Sequence, residues 1–117
     1  MDFEKSNECI NFLIPYVENF IYKNLYSKCI DLSVFLTPFN AIDVLGIKKS
    51  DGRCFQFSIT FETTENNIIM KVFNGLPFKS KVIYYESFTV LSDVFLFLEN
   101  RLDKLINYCL SDYQIAL

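Results

Sequence analysis

The chain has 117 residues, a formal net charge of −3 and no histidine; 51% of it is hydrophobic and 17% aromatic. That length fits one domain, and thirteen Phe with only three Gly and three Pro exclude a disordered or linker-rich chain. The missing histidine removes every Ser-His-Asp and Cys-His arrangement, and His-based zinc sites with them.

The first segment is predicted to be a helix over about residues 5–27. Ile10, Leu13, Ile14, Val17, Phe20, Ile21 and Leu25 recur at spacings of three and four, which draws one apolar stripe. Pro15 cannot donate to the carbonyl four residues back, so a kink or a restart is expected there. Residues 30–40 fit a short strand that Pro38 would end; a loop or a turn of helix fits them nearly as well.

The centre reads as a β-meander. Ile42 to Lys48 leads into the turn signal Ser50-Asp51-Gly52. In the following strand Phe55, Phe57, Ile59 and Phe61 point one way and Gln56, Ser58, Thr60 and Glu62 the other, which predicts one buried and one wet face. A polar turn over 63–67 precedes a strand over 68–73, and a last strand is expected over 80–86. The connection between them carries Leu76 and Phe78, which either plug the end of the core or present an apolar anchor to a partner.

The final segment is again helical. Leu91, Val94, Phe95, Leu98, Leu102, Leu105, Ile106 and Cys109 form the stripe, with Thr89 or Ser87 as the expected cap. Arg101, Asp103 and Lys104 fall on its solvent side, and Phe97 and Tyr108 lie off the main line, available to a second copy. The predicted fold class is α+β: a two-layer sandwich, an antiparallel meander of three to five strands covered by an N-terminal and a C-terminal amphipathic helix, as one domain over 1–117.

Motifs for chemistry are scarce. The four cysteines contain no C-x-x-C pair and are expected as buried thiols; no metal site and no cofactor are expected. The glycines are isolated, so no phosphate-binding loop exists. Glu62 with Glu65, or Glu86 on the last strand, are the carboxylates to weigh for acid/base work, and they read as solvated charge at a sheet end. The largest basic group, Lys48-Lys49 with Arg53, is interrupted by Asp51, so nucleic acid is not an expected partner. No run of about 20 apolar residues is present to cross a membrane, and the start Met-Asp-Phe-Glu-Lys lacks the basic opening of a signal peptide. A cytoplasmic, non-enzymatic protein is expected.

These features point to protein binding. In size and charge the chain is similar to bacterial toxin-immunity proteins as a type, without a motif that places it in one family. The expected function is inhibition of a partner protein, such as a basic toxin or nuclease, by covering its active site. The alternatives are a small acidic secretion-type chaperone, or a viral or phage antagonist of a host protein. The expected contact residues are Glu62 and Glu65, joined by Asp43 or Glu86 in an acidic patch, with Tyr84, Tyr85 and Phe78 as apolar anchors. A monomer or a homodimer suits either reading.

Overall fold

The computed structural model describes residues 3–37, 40–76 and 79–110, with side chains from residue 11 onward. Its elements are α1 (Phe3–Tyr26), β1 (Cys29–Thr37), β2 (Ala41–Lys48), β3 (Cys54–Thr63), β4 (Ile68–Phe73), β5 (Val82–Phe88) and α2 (Leu91–Cys109). The five strands form one antiparallel sheet in the order β1-β2-β3-β4-β5, so β1 and β5 are its edges. The fold is the expected two-layer α+β sandwich, with the ambiguous 30–40 stretch resolved as a full strand ending before Pro38.

The core lies between the sheet and the helices. Phe57, Ile59 and Phe61 of β3 face it with Ile42 and Val44 of β2 and Met70 and Val72 of β4. From α1 it receives Leu13, Ile14, Val17, Ile21 and Leu25, and from α2 Val94, Leu98, Leu102, Ile106 and Cys109. α1 runs through Pro15 without ending there. Pro15 lies on the solvent side, and the buried stripe on the opposite side outweighs the missing backbone donor.

The two helices run parallel. Tyr16 meets Phe95 edge-on at 5.7 Å between ring centroids, and Lys28 donates to Asn107 at 3.4 Å, so one sequence offset of 79 relates both contacts. An odd number of strands requires this direction: each turn reverses the chain, and six reversals bring α2 back to the heading of α1.

Several expectations are corrected. The N-cap of α2 is Val90, without a side-chain capping bond, because Ser87 is still in β5 and Thr89 lies one residue too early. β5 starts at Val82 rather than 80, since the preceding connection ties Lys81 N–H to Asn74 Oδ1 and Asn74 N–H to the Lys81 carbonyl. Phe97 is buried, its ring against Phe88 at 5.5 Å and Tyr84 at 6.0 Å, so it belongs to the core rather than to a surface stripe. Cys29 and Cys109 are buried, and burial pushes the Cys109 thiol up to about 12, whereas Cys54 is exposed. The face expected to be wet is dry at its centre. Ser58 and Thr60 are fully buried, and the Ser58 hydroxyl donates to the Gly75 carbonyl at 2.7 Å, because the connection after β4 folds back over this face.

At the C-terminal end of α2, Lys48 Nζ donates to the Leu110 carbonyl at 3.0 Å while also pairing with Asp51 at 3.1 Å. A cation on an otherwise open helix-end carbonyl is stabilising, and Lys48 is buried. Lys48→Ala is expected to lower stability by about 1 kcal/mol, read as a shift in the urea midpoint. An unchanged midpoint would mean the contact contributes nothing.

Candidate functional site

The expected acidic patch of Glu62, Glu65, Asp43 and Glu86 does not assemble. Asp43 lies on the outer face of β2, buried, and accepts from Gln56 Nε2 at 3.3 Å across the β2–β3 pair. Glu62 is on the same face of β3, but four residues further along than Ser58, the partner of Asp43, which is about 13 Å of strand. It pairs instead with Lys71 at 3.8 Å, both groups partly exposed, so the pair contributes little and its charges offset one another. Glu65 is exposed in the β3–β4 turn. Glu86 is directly opposite Met70, a core residue, and so projects on the helix side of the sheet, away from Asp43 and Glu62. Tyr85 is opposite Lys71 on the outer face and exposed. Phe78 lies outside the described residues, and its neighbour Leu76 is exposed rather than plugging the core.

What the structure does bring together is Tyr84 and Glu86. They are two residues apart on an edge strand, so they share a face, and the Tyr84 hydroxyl donates to Glu86 Oε2 at 2.7 Å. Burial, followed by this carboxylate, pushes the Tyr84 phenol up to about 12, which keeps it protonated and fixed as the donor. Arg101 of α2 acts on the same phenol in the opposite sense.

Arg101 marks a groove of about 600 Å³ between β5 and α2. Its floor is apolar: Ile83 and Tyr84 from the strand, Phe97 and Leu105 from the helix. Its rim is Arg101, Lys104 and Tyr108, spaced three and four apart and therefore on one flank of α2. The sequence placed Arg101 and Lys104 in solvent and Tyr108 off the stripe. Their meeting with Ile83 and Tyr84 depends on β5 being an edge strand beside α2, which no local pattern encodes.

No family model matches the chain, and neither a curated protein nor a solved structure matches it. The residues themselves therefore carry the reading. Among the described residues no group of three or more Cys, Asp or Glu is placed to hold a metal ion, and no helix is long and apolar enough to cross a membrane. The groove offers an apolar floor, two phenols and two cations beside an open strand edge. That combination suits recognition of an extended partner segment bearing carboxylates: the edge supplies backbone donors and acceptors, the floor takes alternate side chains, and Arg101 and Lys104 meet the charge.

Proposed function

We propose that this is a cytoplasmic protein-binding module that neutralises a partner protein by covering its working surface, as toxin-immunity proteins do. The observation that carries the reading is the β5–α2 groove, where Arg101, Lys104 and Tyr108 rim a floor that includes Tyr84 at an open sheet edge. Tyr and Arg are the residue types that dominate binding hot spots, because they bury large stiff surfaces while keeping a polar end. The cationic rim favours an acidic partner segment over the basic partner that net charge alone suggests, and Glu86, already engaged by Tyr84, orients the phenol rather than offering a free negative charge.

The test is co-purification of the tagged chain from its native cells, followed by assay of the partner alone and in complex. One stoichiometric partner whose own activity falls on binding is expected. Reversing both rim charges, Arg101→Glu with Lys104→Glu, should weaken the complex at least about tenfold without loss of the circular-dichroism signal, since both residues are exposed. A partner that binds the double variant equally well would remove the groove from the interface.

The open β5 edge also supports the chaperone reading, since an edge strand pairs with an extended chain. In that case the partner would be unstable on its own rather than inhibited in the complex.

A further inference from the structure

The opposite edge of the sheet is built differently. β1 is nine residues long, and between Cys29 and Thr37 its one charged residue is Asp31. Its register is irregular only at its first step, between Cys29 and Asp31. An edge strand of this kind has none of the lysines, prolines or mid-strand bulges that keep sheet edges from pairing. β5 also follows a lysine and carries one acidic residue, Glu86, but it is seven residues long and has its irregularity within the pairing to β4, between Val72 and Phe73.

Two features sit at opposite ends of β1. At its start is a groove of about 540 Å³ between β1 and the last turns of α1, with Tyr22, Tyr26, Ile30 and Leu32 as its apolar wall and Ser27, Asp31 and Lys49 as its polar part. Tyr26 is 64% and Ile30 66% exposed. At its end is Leu36, directly opposite the core residue Ile42 and therefore on the helix side, yet 50% exposed.

From this arrangement we infer that β1 pairs antiparallel with β1 of a second copy, around a two-fold axis at Val34 perpendicular to the sheet. That register sets Leu36 of each copy opposite Leu32 of the other, so each exposed leucine is a knob against the apolar wall, Ile30 and Leu32, of the other copy's groove. It places Ser33 opposite Phe35, and Asp31 opposite Thr37, so the carboxylates of the two copies never meet. The helices of both copies stay on one face, and the result is a ten-stranded sheet with a β5 edge and its groove at either end. The second copy is the occupant because the strand supplies both halves of the fit, the knob and the groove, without like charges opposed.

The inference is tested by light scattering after size exclusion, on the full chain at about 10–100 μM. The wild type is expected at twice the monomer mass. Leu36→Lys puts a charge on an exposed position of the edge, so the fold should survive, and it should raise the dimer dissociation constant at least about tenfold. Val82→Lys, the matching change on the exposed β5 edge, should leave the dimer intact. Leu32→Glu should also dissociate the wild-type pairing, and an equimolar mixture of the Leu36→Lys and Leu32→Glu chains should restore a dimer, because one end then pairs Lys with Glu and the other Leu with Leu. A monomeric wild type, a dimer indifferent to Leu36→Lys, or a dimer dissociated by Val82→Lys would overturn the inference. Failure of the mixed chains to associate would overturn the register. None of these outcomes touches Arg101 or Lys104, so they stand apart from the test of the β5–α2 groove.

Discussion

Phe57→Ala is expected to destabilise the protein by roughly 3–4 kcal/mol, the lower part of the range for removing a buried ring. Phe57 is fully buried on the central strand β3, directly opposite Val44. Its ring lies 6.2 Å from that of Phe55 at an interplanar angle of 21°. Phe57 belongs to the buried cluster that the sheet shares with both helices, and close-packed surroundings relax only partly into a cavity. Domains of this size have about 5–15 kcal/mol of stability in all. A loss of this size should therefore lower the melting temperature by roughly 10–15 °C. Phe12→Ala is the control. Phe12 is 73% exposed on α1, and its loss should stay within about 0.5 kcal/mol. Equal losses at both positions, by urea titration, would mean that the buried face of the sheet is misassigned.

Gly46→Val should cost about 3 kcal/mol for the opposite reason, too much volume rather than too little. A Cβ on Gly46 would stand 2.7 Å from the Asp31 carbonyl oxygen and 2.7 Å from the Phe55 ring. The ring is the end of a side chain and can shift, but the carbonyl belongs to the backbone of β1. Relief there requires β1 to move away from β2 as a strand. Phe55→Leu in the same chain should consequently restore only part of the loss, which a double-mutant cycle measures. Full restoration would show that the ring alone sets the limit and that β1 yields freely.

Much of the fold could be read from local pattern. The four alternations from Phe55 to Glu62 place β3 within a residue at each end, and the stripe from Leu91 to Cys109 places α2. The turn at Ser50-Asp51-Gly52 is closed by Gly52 N–H donating to the Lys48 carbonyl, with Gly52 at φ +71°, the conformation that glycine allows. What local pattern lacks is knowledge of what lies above a face. Ser58 and Thr60 alternate as solvent-facing residues do, yet both are buried, and Ser58 bonds to Gly75, 17 residues downstream in a connection that folds across it.

The site follows the same division. Tyr84 and Glu86 share a face by their spacing alone, which period-two reasoning contains. Arg101, Lys104 and Tyr108 share a helix flank in the same way. That the two sets face one another depends on strand order, a long-range property set by how five strands and two helices close one core. The acidic residues illustrate the cost of lacking it. Asp43, Glu62 and Glu86 are close in kind but lie on two faces of the sheet, so summed charge does not describe any one surface.

The parallel run of α1 and α2 has an electrostatic consequence. Each helix carries the equivalent of about half a negative charge at its C-terminal end, and parallel helices put both at one end of the molecule instead of letting them cancel. Three of the chain's lysines gather there. Lys28 reaches Asn107, Lys48 holds the Leu110 carbonyl, and Lys49 donates its backbone N–H to the Lys28 carbonyl beside them. Lysines that are spread over two stretches of the sequence are thus, in the folded chain, one counterweight to two aligned helix dipoles.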